Sequence, residues 1–357
     1  MYKVIGKKLP IDDARYKACG ETKYTGDLKL ANMCYGKLIL SEIAFGKVLE
    51  VDTVEALKVP GVISVLTYKD FPDEKYNSAL RFKNHGIIKS ERVLTDEVKF
   101  VGDRIGLVVA ENIYAAEEAL KLIKVKYDEY EPILNVQDSL ASKVNIHENI
   151  SNRIGTIPAG ESKEKIDELL AGADKIYEDE YNIPMVSQVP METHTVIADY
   201  SCQKLTIYAT TQNTFAIRIL ASDIYKLPIH KINVIQPTLG GAFGSKLEAV
   251  TELVAAGAAL KLKRPVKVTL NRKENMIASR TRNGAYVKIK TGVDEKGKIL
   301  ASFFQMFTDT GAYVGSAMNV IGAMSHKLFK VYKFPLRYEG SPVLTNTPIA
   351  GAMRGYG

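Results

Sequence analysis

The chain has 357 residues, of which 46% are hydrophobic and 25% are charged, and it carries a formal net charge of +7 with a pI near 9.0. This composition is typical of a globular protein, and the length is sufficient for two hydrophobic cores, so we expect two domains. Lysine and arginine are interspersed with aspartate and glutamate, which argues against nucleic acid as the main partner.

The cysteines and histidines indicate neither a disulfide framework nor a metal site built from side chains. The three cysteines lie far apart, so we expect a reducing, cytoplasmic setting, and the histidines show no HxH or HExxH spacing. The N-terminus lacks a signal-peptide pattern, and no apolar run reaches the roughly 18 residues of a membrane span, so we expect no membrane partner. The cysteines are Cys19, Cys34 and Cys202, and the histidines are His85, His147, His194, His230 and His326.

Short apolar stretches alternate with helical ones in the first third of the chain. Strands are predicted at residues 36–40, 62–67, 105–110 and 124–127, and helices at residues 53–57 and 115–123. This alternation predicts a compact α/β domain over residues 1–130, within a fold of the α+β class. Residues 131–165 are rich in proline, asparagine and glycine, and are predicted to be a connecting segment.

The second part, residues 166–357, has a more regular pattern. Strands are predicted at residues 204–209, 231–236 and 266–270, and helices at residues 214–225 and 247–262, which together form a β-α-β-α-β unit. Two further strands, residues 286–293 and 299–307, flank a turn at residues 294–297 and predict a hairpin. Lys261 to Arg264 are expected to close the long helix rather than bind phosphate.

A glycine-rich loop lies between a predicted strand and the predicted long helix. Free backbone amides at such a junction suit an anion or an oxo group, although a purely structural tight turn is an equally good interpretation of this pattern. A P-loop requires glycine before the lysine, and the GxGxxG spacing is absent, so ATP and NAD are poor candidates. The loop is Gly240-Gly241-Ala242-Phe243-Gly244-Ser245-Lys246.

Two further segments carry polar groups that suit a ligand. Gln212 follows a strand and precedes a helix, where α/β sheets place ligands, although Thr211, Asn213 or Thr214 acting as a helix cap would also explain the segment. Arg354 stands among small residues near the C-terminus and could present its fork to an anion, the alternative being a frayed tail.

Together and in order, the three segments resemble the molybdenum-binding subunit of the xanthine dehydrogenase and aldehyde oxidase family. Residues 20–27, 101–105 and 190–192 resemble the family's N-terminal entry, hammerhead strand and the opening of its cofactor domain. The resemblance implies a hammerhead domain over residues 1–130, then the first half of a molybdopterin-binding domain over residues 166–357, which ends within the arginine loop.

The resemblance also implies roles for individual residues. Gln212 would donate a hydrogen bond to an oxo ligand of molybdenum, Phe243 and Gly244 would lie against the metal centre, and Arg354 would be a catalytic group near the reacting oxygen. With Gly241 and Ala242, these residues form the implied cofactor-binding set. Fixed donors of this kind stabilise charge that develops in a transition state.

The implied activity is hydroxylation of an N-heterocycle or aldehyde, with water as the oxygen source. The implied cofactor is molybdopterin in a dinucleotide form, with 2Fe-2S and FAD on partner subunits or domains. The general base belongs to the part of the family that follows the arginine loop, so the other half of the molybdenum subunit, on the same chain or a separate one, is an expected partner. A non-catalytic module that docks iron-sulfur and flavin partners is the alternative.

The chain departs from the xanthine dehydrogenase pattern at two places. That pattern has glutamate directly after the loop lysine, where this chain has Leu247, and an arginine upstream of the last loop, which residues 321–326 lack. Glu248 is one residue late and, on the predicted helix, would be turned about 100° away. Both departures weaken xanthine as the substrate.

Overall fold

The computed structural model describes residues 2–80 and 87–356. His85, one of the five histidines considered above, and Gly357 lie outside the described residues. Among the described residues, no helix has both the length and the apolar character needed to cross a bilayer.

The described residues form eight α-helices and eighteen strands. The helices are α1 (Ala14–Ala18), α2 (Ile113–Leu122), α3 (Val136–Ala141), α4 (Lys163–Ala171), α5 (Thr214–Tyr225), α6 (Glu252–Leu262), α7 (Arg272–Ala278) and α8 (Ala317–Val331). The strands of the first half are β1 (Cys34–Leu40), β2 (Gly46–Asp52), β3 (Val62–Thr67), β4 (Glu97–Val98), β5 (Arg104–Ala110), β6 (Lys124–Glu129), β7 (Ile157–Gly160), β8 (Lys175–Ile183) and β9 (Val186–Ser187). The remaining strands are β10 (Thr195–Ser201), β11 (Lys204–Ala209), β12 (Ile232–Ile235), β13 (Val266–Thr269), β14 (Thr281–Arg282), β15 (Gly284–Val293), β16 (Ile299–Asp309), β17 (Leu336–Val343) and β18 (Ala350–Gly351).

The largest sheet has seven strands in the order β12-β11-β10-β13-β1-β5-β3. Strands from both sides of residues 131–165 therefore lie in one sheet, joined where β1 runs parallel to β13. The main hydrophobic core contains buried residues of both parts, for example Leu38 and Leu107 with Val254 and Val268. This shared sheet holds the second part of the chain firmly against the first.

A second, five-stranded sheet has the order β7-β17-β16-β15-β8. Helices α3 and α4 cover one face, where Val136 packs on Tyr286 and Phe307, and Ile166 packs on Ala301. Helix α8 lies on the other face through Val320, Ile321 and Met324. Two three-stranded sheets, β4-β2-β6 and β18-β14-β9, complete the fold.

Most predicted elements are present with small shifts at their ends. Strand β11 and helix α5 have the predicted bounds, and β15 and β16 form the predicted hairpin. The predicted short helix at residues 53–57 is only a 3-10 turn at Ala56–Lys58. Residues 131–165 contain α3, β7 and the start of α4, and β7 pairs with β17, so this segment is part of the second sheet.

The prediction of a helix over residues 247–262 is wrong at its start, because α6 begins at Glu252. The Glu252 carboxylate accepts the backbone N–H groups of Val250 and Thr251 at 2.7 and 3.0 Å, which satisfies these amides without a preceding turn of helix. The glycine loop therefore does not lie at a helix N-terminus, and the helix dipole does not contribute to its donors.

Candidate functional site

Three loops that are far apart in sequence meet at one pocket of about 450 Å³. The loop after β11 contributes Gln212, the glycine-rich loop contributes its central residues, and the loop after β18 contributes Arg354. The lining consists of Gln212, Leu239, Ala242, Phe243, Gly244, Leu247, Ala352, Met353, Arg354 and Tyr356.

Backbone hydrogen bonds tie the three loops together. The Gln212 N–H donates to the Lys246 carbonyl at 2.8 Å, and the Arg354 N–H donates to the Phe243 carbonyl at 2.9 Å. Both partners belong to the glycine loop, so this loop is the central member and fixes the spacing of the other two. Main-chain contacts thus fix the spacing of the three loops.

Gly244 is required by the close approach of the arginine loop. Its φ is +103°, and a Cβ atom there would collide with the Ala352 carbonyl oxygen. The neighbouring Phe243 also has a positive φ, +54°, which is uncommon for a residue with a side chain. Its side chain is 47% exposed at the pocket. The surrounding contacts therefore hold this part of the loop in a conformation that the chain does not favour by itself.

A partly buried ion pair holds both ends of the glycine loop. One carboxylate oxygen of Glu192, Oε2, accepts the Gly240 N–H at 2.8 Å and the Lys246 ammonium at 2.8 Å. The Lys246 side chain is fully buried, and this burial lowers its pKa, although the pairing with Glu192 opposes the shift. We call this contact the Glu192 clamp.

His194 supports the same loop from the core side. The ring Nε2 lies 3.2 Å from the Ser245 carbonyl oxygen, and Nδ1 lies 2.7 Å from the Asn275 amide oxygen. Complete burial lowers the pKa of His194 to about 4. The imidazole is therefore neutral at physiological pH and acts as a rigid support.

The arginine loop is anchored from the other side. The Gln188 side chain donates to the Ala352 carbonyl at 2.9 Å. The segment that leads into β18 is held by the buried Asp309 carboxylate of β16, which accepts the Thr345 hydroxyl at 2.6 Å and the Gly311 N–H at 2.9 Å. Burial raises the pKa of Asp309, while these hydrogen bonds oppose the shift.

Several hydrogen-bond donors of the pocket have no partner within residues 2–80 and 87–356. They are the Gln212 amide, the Arg354 guanidinium and the backbone N–H groups of Ala242, Phe243 and Gly244. A pocket lined by unpartnered donors suits a ligand with several oxygen acceptors or negative charge. The site can therefore hold an anionic or oxo-bearing group without any metal ligand from the chain.

The structure brings together all predicted site residues except one. Gln212, Ala242, Phe243, Gly244 and Arg354 line the pocket, whereas Gly241 is not in the lining. A Cβ atom at Gly241 would lie 3.6 Å from Pro190 Cβ, so this glycine packs against the segment that precedes the Glu192 clamp.

Glu248 lies outside the pocket, as expected, but not because of a helix. It is buried beneath the arginine loop, where its Oε2 accepts the Arg280 Nε at 2.8 Å, and Leu247 takes the pocket position instead. Arg280 also donates to Glu91 at 2.9 Å and to Ser78 at 2.8 Å. Sequence reasoning missed this network, because isolated arginine and glutamate residues show no spacing that would reveal their pairing.

Comparison with known proteins gives this arrangement a family. Residues 146–357 match the family model described as "Molybdopterin cofactor-binding domain", and residues 19–131 match "Aldehyde oxidase and xanthine dehydrogenase, a/b hammerhead domain". The chain belongs to the xanthine dehydrogenase and aldehyde oxidase family of molybdenum hydroxylases. The predicted fold class, a hammerhead domain followed by part of a molybdopterin-binding domain, is confirmed.

Curated relatives in this molybdenum hydroxylase family act on different compounds. A probable xanthine dehydrogenase subunit of Bacillus subtilis (strain 168) is 34% identical over 352 residues, which is 97% of this chain and 46% of that protein. The nicotinate dehydrogenase large molybdopterin subunit of Eubacterium barkeri is 29% identical over 366 residues, covering 100% of this chain and 82% of that subunit. The chain spans about half the length of the xanthine dehydrogenase relatives.

Solved structures of molybdenum hydroxylases share the fold over nearly the whole chain. Aldehyde oxidoreductase from Desulfovibrio gigas aligns with a TM-score of 0.90 and 25% identity, covering 99% of this chain and 40% of that one. Quinoline 2-oxidoreductase from Pseudomonas putida 86 aligns with a TM-score of 0.88 and 25% identity, covering 99% and 46%.

Proposed function

We propose that this chain forms one wall of the molybdenum cofactor pocket in an enzyme that hydroxylates an N-heterocycle or an aldehyde. The observation that carries the proposal is the convergence of Gln212, the glycine loop and Arg354 on one pocket through main-chain hydrogen bonds. The unpartnered donors of this pocket fit a molybdopterin group, whose phosphates and metal-bound oxygens are acceptors.

Each pocket residue has a proposed task. The Gln212 amide and the backbone N–H groups of Phe243 and Gly244 hold and orient the cofactor, together with Ala242 in the pocket and Gly241 behind it. The Arg354 guanidinium, which is exposed in the pocket, stabilises negative charge on the reacting oxygen. When bound, the molybdenum centre supplies the site of oxygen transfer and accepts the two electrons that the substrate loses.

The overall reaction replaces a C–H bond of the substrate by C–OH. The oxygen comes from water, two protons are released, and two electrons leave through 2Fe-2S clusters to FAD on partner subunits or domains. The general base is contributed by the other half of the molybdenum subunit. We expect the complete assembly to work in the cytoplasm.

Leu247 points to a substrate without a strongly polar edge at this part of the pocket. It lines the pocket at the position that follows the loop lysine, and its side chain can offer only apolar contact there. Xanthine, whose six-membered ring carries two carbonyl oxygens, is less suited to this wall than a less oxidised N-heterocycle or an aldehyde. We therefore place xanthine below such compounds as a candidate substrate.

The test is to purify the molybdenum subunit with its remaining part and partners, and to measure molybdenum, pterin and turnover. We expect bound molybdenum, activity on a panel of N-heterocycles or aldehydes, and strong loss of turnover in Gln212→Ala and Arg354→Ala. Lys330→Ala, an exposed residue of α8 outside the pocket, is the control and should leave turnover unchanged. An assembled complex without molybdenum would instead favour a non-catalytic docking module.

A further inference from the structure

One face of the five-stranded sheet is only half covered. Helix α8 packs over β17 and β7, through contacts such as Ile321 with Tyr338. On the same face, β15 and β8 carry apolar residues over which no helix of residues 2–80 and 87–356 packs. The edge strand β8 is exposed along all nine residues, including Tyr181 at 50% and Ile183 at 48%.

The uncovered area forms a groove of about 540 Å³ along the side of α8. Its floor comes from β8, β15, β16 and β17, and its wall comes from α8. The α8 groove is lined by Tyr181, Ile183, Arg282, Asn283, Ala285, Val287, Ile289, Phe304, Met306, Met324, Lys327, Leu328, Val331, Tyr332, Tyr338 and Tyr356. Most of this lining is apolar, and an exposed apolar surface of this kind in a stable fold indicates a site where another element or partner packs.

Two polar side chains of the α8 groove have a buried atom without a hydrogen-bond partner in the described part of the chain. Arg282 has a buried Nε without an acceptor, and Asn283 has a buried Oδ1 without a donor, among the described residues. Lys327 also lines the groove, and no acidic side chain of the described residues does. An occupant that completes this surface would need an apolar face and an acceptor for Arg282, and a carboxylate is the strongest acceptor for a guanidinium group.

The width of the uncovered area fits one helix. Strands lie about 4.8 Å apart, so the two spacings from β16 across β15 to β8 span roughly 10 Å, which is the diameter of an α-helix. Helix α8 already covers the neighbouring strands β17 and β7. A second helix beside it would complete the layer.

We propose that the α8 groove binds an amphipathic helix that presents an acidic residue to Arg282. The helix belongs to the part of the molybdenum subunit outside the region matched here, whether on the same polypeptide or a separate one. Two observations favour this source: Tyr356 lines both the groove and the candidate pocket, and the xanthine dehydrogenase relatives are about twice as long as the matched region. The identity of the occupant rests on the proposed function, whereas its chemistry rests on the groove.

The first experiment identifies the occupant in the assembled enzyme by photocrosslinking. The photoreactive residue p-benzoylphenylalanine replaces Val331, which is 70% exposed, or Ile183, and mass spectrometry identifies the crosslinked peptide. We expect a peptide from the rest of the molybdenum subunit, with an acidic residue among apolar residues at three- and four-residue spacing. The same replacement at Tyr114, 75% exposed on α2, is the control and should not capture this peptide.

The second experiment tests the carboxylate partner. Arg282→Glu should lower the thermal midpoint of the assembled enzyme by roughly 2–4 °C, and Lys330→Glu, on the outer surface of α8, should leave it unchanged. Equal midpoints for the two variants would overturn the acidic partner. Crosslinks to a second copy, to another subunit, or from neither position would overturn the docking proposal.

These readouts require neither molybdenum nor turnover. A crosslinked helix in an assembly that lacks molybdenum would refute the proposed function and keep this inference. A molybdenum-containing enzyme without the crosslink would refute this inference and keep the proposed function.

Discussion

The Glu192 clamp offers a quantitative test of how the glycine loop is held. Replacing Glu192 by glutamine removes the carboxylate that lies 2.8 Å from the Lys246 ammonium, while keeping nearly the same shape. Loss of one partner from a buried ion pair costs about 3–5 kcal/mol, because the other charge stays buried without compensation. We expect about 3 kcal/mol, since Glu192 itself is 15% exposed and water can partly replace it.

Deprotonation of Lys246 sets an upper limit on this loss. A lysine with the ordinary pKa of 10.5 can be neutralised at pH 7 for about 5 kcal/mol, so the buried ammonium cannot cost more than that. Burial lowers the folded-state pKa of Lys246, so the neutral amine is favoured more in the folded state than in the unfolded state. The destabilisation of Glu192→Gln should therefore shrink as the pH rises toward 10.5.

The assay combines urea unfolding with hydrogen exchange of the loop amides. Glu274→Gln is the matched control, because Glu274 pairs at 2.6 Å with the buried Lys37 and neither residue lines the pocket. Both variants should lose stability, but only Glu192→Gln should speed exchange at residues 240–246 and lower molybdenum content. A loss below about 0.5 kcal/mol, or one that is independent of pH, would refute the reasoning.

Three further predictions follow from the site and its supports. Gly244→Ala should displace the arginine loop and lower molybdenum content severalfold. Gly297→Ala is the control, because Gly297 has a similar φ of +79° with open space around it. It should reduce the free energy of unfolding by only about 1–2 kcal/mol. Arg280→Met should reduce the free energy of unfolding by about 3–5 kcal/mol, because Glu248 remains buried without a cation, and an unchanged urea midpoint would contradict this. The pKa of His194 is about 4 in the folded state, below its ordinary value of 6.5. The free energy of unfolding should therefore fall as the pH drops from 6.5 toward 4, and His194→Gln should remove part of that fall.

The sequence predicts local elements well where the signals are local. Helix α5 begins at the expected residue because Asn213 caps it through a hydrogen bond to the Ala216 N–H. The hairpin of β15 and β16 follows from alternating apolar residues on both sides of a glycine-containing turn. Such features depend on residues only a few positions apart in sequence, so a local sequence pattern predicts them.

Features that depend on distant pairing could not be predicted. The parallel contact of β1 with β13 joins residues more than 200 positions apart, and no period in either strand reveals the other. The start of α6 was placed too early because residues 247–251 are apolar enough to continue a helix, and only the Glu252 contacts show otherwise.

The candidate site also has some residues that the sequence predicts and others that it does not. The resemblance of three motifs identified Gln212, the glycine loop and Arg354, and the structure places them in one pocket. Their supports, the Glu192 clamp and the contacts of His194, are polar contacts between residues 48 to 81 positions apart in sequence. A carboxylate or an imidazole in isolation carries no sign of its partner in the sequence.

The central claim is that molybdenum lies against the wall formed by these three loops. Anomalous X-ray scattering from crystals of the assembled enzyme locates the metal without any assumption about the protein. We predict a molybdenum peak inside the pocket lined by Gln212, Gly244 and Arg354. A molybdenum peak outside that pocket, with the three loops still joined as described, would contradict the account.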